Sequence, residues 1–312
     1  MRSQGRPRGG DDTGGLVPRD WLERIAGLPA EGGPSGEVWA RRAARLVDEV
    51  LAQWDLVVTG SAMTGQTAVV LPVEQAGRAL VLKVGWPHEE SAGEHLALRH
   101  WGGRGAVRLV AADPGRGALL LERLDSSRSL SPIPIDEACA VVGSTLRLLH
   151  VPAPPTVAPL AAWLGPQVAR MGGQHGIPRR IVTRTQGLAG ELLADPDVSL
   201  LLHTDLHFDN ILGILDRPDE WRAIDPKPRA GHPGFEVQPV LRNRIEELGT
   251  GSAFRWGIRR RLEIVAEAAQ IDPEAARLWS LVHTGIQIGW AAADDDGAGV
   301  SLHIAIFKAL ED

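Results

Sequence analysis

Leu200-Leu201-Leu202-His203-Thr204-Asp205-Leu206-His207-Phe208-Asp209-Asn210-Ile211-Leu212-Gly213-Ile214 sets a dense polar run between two short apolar ones. Apolar runs of this length, entered and left abruptly, predict two strands, Leu200–His203 and Ile211–Leu215, with the polar loop held on a rigid platform between them. A third run, Arg222–Ile224, follows and ends at Asp225-Pro226.

Working outward, the pattern changes character on either side of this loop. Upstream, Leu56–Thr59, Ala68–Leu71 and Ala79–Val84 are short aliphatic runs separated by Gly and polar turns, which predicts three antiparallel strands. Val107–Ala112 and Ala118–Glu122 add two more, joined by the turn signal Asp113-Pro114-Gly115. Ser35 is placed to cap a helix over 37–54, and a second helix is predicted over 89–101. From Ile135 onward helical spacing prevails, around 136–150, 178–193, 236–248, 254–269 and 273–292. A sheet-rich first third and a helix-rich remainder predict an α+β fold with two lobes, divided in the polar stretch Glu122–Ser131. The expected division is a loose tail over 1–20, a first lobe over 21–122 and a second over 123–312, with the Pro-rich Val151–Pro159 as a rigid connector.

With 44% apolar residues in 312 and a net charge of -6, the chain has enough material for a sizeable core and lacks the basic surface that nucleic acid demands. No run approaches the ~20 apolar residues of a membrane span. The one cysteine, Cys139, sits in an apolar run and excludes an intramolecular disulfide. A cytoplasmic, monomeric protein with a small-molecule partner, and with neither nucleic acid nor membrane as partner, is expected.

The loop carries the chemistry. An Asp and an Asn on one such turn suit phosphoryl transfer: Asp205 orients an attacking hydroxyl and accepts its proton, while Asn210 offers a neutral oxygen to Mg²⁺. Magnesium favours hard oxygen ligands, and Asp225, one strand and one turn downstream, supplies the carboxylate.

The run His203 to Leu212, followed by Ile224-Asp225-Pro226-Lys227-Pro228 and Gly231-His232-Pro233-Gly234-Phe235-Glu236, resembles the aminoglycoside phosphotransferases, proteins of bilobal protein-kinase-like fold. Leu121-Glu122-Arg123-Leu124-Asp125, Trp101–Leu109 and Leu149–Pro154 are most similar to the branch that holds streptomycin 6-phosphotransferases and hydroxyurea phosphotransferases. The resemblance implies a small sheet-rich N-lobe that binds ATP and a larger helical C-lobe that binds the acceptor. It implies Asp205 as catalytic aspartate, Asn210 and Asp225 as Mg²⁺ ligands, and Lys83 as the lysine on the α- and β-phosphates. Glu94 then steadies Lys83, with Glu90 as rival for that task, and the backbone of Glu122, Arg123 and Leu124 grips adenine.

Gly60–Thr67 takes the phosphate-covering position without the Gly-rich pattern of protein kinases, leaving its backbone N–H groups and the hydroxyls of Ser61, Thr64 and Thr67 as phosphate contacts. Ile224-Asp225-Pro226 in place of Asp-Phe-Gly argues against a protein substrate. Hydroxyurea and a streptomycin-type aminoglycoside stand as the two acceptors, with resistance as the outcome. A housekeeping kinase for a sugar or amino alcohol shares every one of these residues. A His/Asp metallohydrolase built on His203, Asp205 and His207 is the rival chemistry, and a nucleotide-binding protein without catalysis the rival class. Glu236 is expected to steady the loop, Arg255–Leu262 to be the polar face of a helix, and the ten scattered tryptophans to be mostly core.

Overall fold

The computed structural model describes residues 15–31, 33–173, 176–194 and 199–311. These pack as two compact units, one formed by the described residues up to Glu89 with Val110–Glu122, the other by Glu90–Leu109 with the described residues from Arg123 on. Most of the expected tail, 1–14, lies outside the described residues; Arg19 and Asp20 open a helix, and Val17 is buried.

In the first unit α1 (Arg19–Ala26) and α2 (Gly36–Gln53) pack on a sheet. Ser35 caps α2, its hydroxyl accepting from Val38 N as its position predicts. Trp21 and Trp39 meet edge to face at 5.7 Å, which locks the two helices together. The strands are β1 (Val57–Val58), β2 (Met63–Thr64), β3 (Ala68–Gln75), β4 (Arg78–Gly85), β5 (Leu109–Asp113) and β6 (Ala118–Glu122). They lie in the order β1-β3-β4-β6-β5, with β2 paired to β3. On β4 Leu80, Leu82 and Val84 are buried at period two, so Val81 and Lys83 face the other side. Lys83 sits between Val70 on β3 and Leu119 on β6.

The second unit begins with α3 (Glu94–Trp101), shorter than the predicted 89–101. Trp101 is buried and donates from Nε1 to Leu149 O at 2.8 Å. Then follow β7 (Leu124–Ser129), α4 (Ile135–Leu149), α5 (Leu160–Met171), α6 (Arg179–Leu193), β8 (Leu200–Leu202), β9 (Ile211–Ile214), β10 (Arg217–Ala223) and β11 (Arg229–Gly231). α7 (Gln238–Leu241), α8 (Gly251–Ala269), α9 (Pro273–Ala293) and α10 (Gly297–Glu311) close the chain.

β7, β9 and β10 form one small sheet, and β8 pairs with β11 in another. α4 meets α8 at Gly143, where an added Cβ would stand 2.6 Å from Val265 O, so only glycine permits this approach. The long α9 packs against α5, α6, α8 and α10 and forms the centre of the helical core.

Several predictions of the periodicity change here. The helix over 236–248 is broken into a 3₁₀ turn at 233–236, the single turn α7, and another 3₁₀ turn at 245–247. Pro233 and Pro239 start new turns, and Arg244 at φ 47° ends the run. Arg261 does not lie on a polar face: it is 2% exposed, and its guanidinium donates to the carbonyls of Asn243 and Arg244. Those bonds hold the end of α7 in place.

Candidate active site

The polar loop leaves β8 in a conformation that its own sequence disfavours. Thr204, a β-branched residue, has φ 60°, a left-handed backbone that costs about 1–3 kcal/mol. The loop is held there by Glu236, a fully buried side chain whose Oε2 accepts from His203 N at 2.9 Å and whose Oε1 accepts from Thr204 N at 2.6 Å. Thr204 Oγ1 donates to Lys227 O at 2.5 Å. Burial pushes the Glu236 carboxyl up to about 7, opposed by those two N–H groups.

The His203 ring braces the same loop from beneath. Its Nε2 lies 2.9 Å from Ile224 O and its Nδ1 accepts from Asp205 N at 3.3 Å, so the proton resides on Nε2. Burial brings its pKa down to about 4 and keeps the ring neutral. On the far side of Asp205, Asn210 Nδ2 donates to Asp205 O at 2.9 Å, and Asn210 O accepts from Ile224 N at 2.9 Å. The catalytic-loop residues and the turn at Asp225, itself at φ 57°, are thereby one hydrogen-bonded piece.

Asp205 projects into a cavity of about 50 Å³ lined by Glu90, Thr204, Lys227, Arg229 and Arg242 and by Trp163, His283, Gln287 and Trp290. Arg242 Nη2 lies 2.7 Å from Asp205 Oδ1, and Lys227 Nζ 3.3 Å from Oδ2 and 2.8 Å from Glu90 Oε2. Burial alone would push the Asp205 carboxyl up, but the positive charges of Lys227 and Arg242 outweigh it and hold the group below the usual carboxylate range. The same two carboxylates hold the Lys227 ammonium above its usual range against the pull of burial. Trp163 and Trp290 meet edge to face at 5.8 Å. These two tryptophans are pocket wall, unlike the buried core tryptophans such as Trp21.

In the first unit, Lys83 occupies the middle of the sheet, Ser61 and Thr64 are exposed beside β2, and Glu122 ends β6. Gly65 O, in the turn over 60–67, accepts from Trp21 Nε1 at 2.9 Å and from Arg24 at 3.0 Å, so α1 anchors that turn. In the second unit, Glu94 is buried at the start of α3, Arg123 is half-buried, and Leu124 opens β7. Glu90 engages Lys227.

Compared with known proteins, residues 53–297 match the family described as aminoglycoside/hydroxyurea antibiotic resistance kinase. The chain belongs to that family. A hydroxyurea phosphotransferase of Kitasatospora aureofaciens is 38% identical over 95% of this chain and 90% of its own. A streptomycin 6-kinase of Streptomyces glaucescens is 35% identical over 89% of this chain and 92% of its own. Among solved structures, a choline/ethanolamine kinase family protein from Mesorhizobium loti aligns with a TM-score of 0.60 at 16% identity, over 85% of this chain and 94% of that one. A thermostable mutant of the aminoglycoside phosphotransferase APH(4)-Ia, in a ternary complex with ADP and hygromycin B, aligns at 0.53 and 15% identity, over 84% of this chain and 97% of that one. The kinase thus has the protein-kinase-like fold that its motifs imply, and it is a phosphotransferase.

Within this kinase a metallohydrolase centre at His203 is ruled out by the ring's own bonds, since both nitrogens are taken by the backbone. Among the described residues, no three His, Cys, Asp or Glu side chains are grouped to hold a metal. Magnesium makes a smaller demand, one or two protein oxygens with phosphate and water completing the shell. Asn210 fits it: with Nδ2 committed to Asp205 O, the amide is oriented and its Oδ1 is left as acceptor. Asp209 is turned to Ser131 Oγ at 2.9 Å and lines no part of the cavity.

Arg242, His283, Gln287 and the two tryptophans carry no motif that marks them as site residues, and the resemblance implies no role for Lys227. A signal does exist for part of the set. Ser280, His283, Thr284 and Gln287 recur at helical spacing within the otherwise apolar stretch of α9 from Leu278 on, a polar stripe that a purely structural helix core does not need. Lys227 stands two residues beyond Asp225 in the motif itself. Among the described residues, no helix is long and apolar enough to cross a membrane.

Proposed function

We propose that this kinase transfers the γ-phosphate of ATP to the hydroxyl of a compact, uncharged acceptor of the hydroxyurea type, and that the modification masks the drug. The size and charge of the Asp205 pocket carry this choice. A cavity of about 50 Å³ has room beside Asp205 for the few heavy atoms of a compact acceptor, at ~10–15 Å³ for each water-sized group. Its ionic lining is Lys227, Arg229 and Arg242 against Glu90 and Asp205, and both carboxylates already face cations. A guanidinium-bearing aminocyclitol or a cationic amino alcohol would meet net positive charge there, whereas a neutral urea meets donors and acceptors without repulsion.

Asp205 orients the acceptor hydroxyl and takes its proton as the oxygen forms its bond to the γ-phosphorus and the bond to the bridging β-phosphate oxygen breaks, releasing ADP. A carboxylate held below its usual range is ionised throughout the neutral region, so it is always ready to accept. Lys227 and Arg242 set positive charge beside the transferring group, where negative charge spreads over the equatorial oxygens. Lys83, steadied by Glu94, contacts the α- and β-phosphates, and Ser61 and Thr64 cover them. The backbone of Glu122, Arg123 and Leu124 holds adenine. Asn210 and Asp225 hold Mg²⁺, which when bound neutralises phosphate charge.

The test is ATP consumption by purified enzyme with hydroxyurea, streptomycin, a sugar and an amino alcohol. Hydroxyurea is expected to give the highest kcat/KM by at least tenfold. A preference for streptomycin or for the amino alcohol overturns the choice of acceptor while leaving phosphoryl transfer intact.

A further inference from the structure

The wall of the acceptor pocket opposite the ionic residues is built by α9, and one of its side chains is fixed in a way that ordinary core packing does not require. His283 is 3% exposed and lies flat on Phe235, ring centroids 4.1 Å apart and planes within 4°. Its Nδ1 is 3.2 Å from Phe235 O. A carbonyl only accepts, so Nδ1 carries the proton and Nε2 is left as an acceptor. Nδ1 is committed to the backbone, while the residue lines the cavity alongside Gln287, Trp163 and Trp290. Burial pushes the ring's pKa down to about 3, against the bond to Phe235 O and the charge of Asp205 and with the help of Arg242, so it stays neutral.

An acceptor-only nitrogen on a rigid ring, in a cavity whose two carboxylates already face cations, selects for a ligand that brings an N–H. We propose that His283 is a specificity-determining residue of the acceptor pocket, its Nε2 receiving a hydrogen bond from an uncharged N–H of the acceptor molecule. This rests on the hydroxyurea-type acceptor proposed above, whose amino end supplies that N–H while its hydroxyl end meets Asp205. The stack on Phe235 and the bond to its carbonyl remove the ring's freedom in advance, so little ordering remains for binding to impose. Phe235 immediately precedes Glu236, so the turn that holds the catalytic loop also orients His283.

Two substitutions separate the ring's two nitrogens. His283→Asn retains a side-chain N–H near the Nδ1 position for Phe235 O and removes the Nε2 acceptor; His283→Gln places an oxygen near the Nε2 position. One lost hydrogen bond of ~0.5–1.5 kcal/mol corresponds to about a 2–13-fold change. His283→Asn is therefore expected to raise the acceptor KM about 5–10-fold, with kcat and the ATP KM changed by less than about twofold, and His283→Gln to recover most of the loss. A second arm uses hydroxyurea dimethylated on its amino nitrogen, which lacks that N–H. Wild type discriminates against it, and His283→Asn discriminates less.

Unchanged acceptor KM in His283→Asn, equal discrimination in both proteins, or equal losses in kcat and both KM values would each overturn the role of His283. If wild type leaves hydroxyurea untouched, the choice of acceptor has failed instead. The same two variants are then compared on whichever panel acceptor is turned over, where a selective rise in its KM upholds the role and its absence overturns it.

Discussion

Replacing Asp205 by asparagine changes the chemistry of one atom and almost nothing of the side chain's volume. The loss splits into two parts that can be measured apart. The first is catalytic. A positioned proton acceptor is worth about 10²–10⁴-fold in rate, or roughly 3–5.5 kcal/mol at about 1.4 kcal/mol per decade. The second is structural: Arg242 at 2.7 Å and Lys227 at 3.3 Å lose the carboxylate between them. A charge-assisted bond deep in a core is worth ~1.5–3 kcal/mol, but these cations are 30% and 40% exposed, and water takes up part of what the carboxylate gave. We expect a cost of about 1–2 kcal/mol, a fall in Tm of roughly 2–8 °C for a unit of this size. Turnover is followed by coupled ADP release at saturating acceptor, nucleotide affinity by calorimetry and folding by thermal melt. The expected outcome is kcat down at least 100-fold, nucleotide Kd within about threefold and a small drop in Tm. A folded variant whose kcat stays within tenfold of wild type would refute the assignment of Asp205 as proton acceptor.

Glu236→Gln retains one acceptor for the His203 and Thr204 N–H groups but turns an amide donor toward the other, leaving a buried N–H unpaired. It should cost about 1–3 kcal/mol and lower kcat more than either KM, as read by urea unfolding and steady-state kinetics; unchanged stability would show that the loop is held otherwise. Acid should destabilise the fold through His203 and His283, whose folded pKa values of about 4 and about 3 lie below the unfolded 6.5. Their stabilisation is complete above pH 6.5 and is lost as pH falls toward 3, about 3 kcal/mol for His203 and about 5 kcal/mol for His283. Glu236, raised to about 7, acts in the opposite sense between pH 7 and 4.5, so the decline should steepen below 4.5. Urea midpoints across pH 8 to 4 check this, and His283→Asn should flatten the acid limb.

The catalytic loop was legible in the sequence because apolar strands frame it and because its Asp and Asn are recognisable by type and spacing. The acceptor wall was not, since it is assembled from Trp163 on α5, Arg229 on β11, Arg242 just past α7 and three residues of α9. Pro166 and Gly165 mask α5, whose Pro-rich approach reads as a connector. α7 is one turn between two 3₁₀ turns, too short for periodicity to register, yet it delivers Arg242. β7 runs Leu124-Asp125-Ser126-Ser127-Arg128-Ser129 on the edge of its sheet, with too little burial to impose an alternation. In each case the missing signal is physical: the element is short, edge-bound or interrupted, and tertiary contacts rather than local preference determine it.

The two bonds from Glu236 to the backbone of His203 and Thr204 also impose a timetable on biosynthesis. The partners lie 33 residues apart in the chain. At ~5–20 residues per second, a nascent chain that has just added His203 waits roughly 2–7 s before the carboxylate that shapes its loop is even synthesised. Until then Thr204 has no reason to adopt its left-handed backbone, and His283, further downstream still, has no rigid turn on which to lie. The phosphate-transfer machinery and the acceptor wall therefore mature late and together, and a product truncated before Glu236 carries every residue of the loop motif without the means to set it.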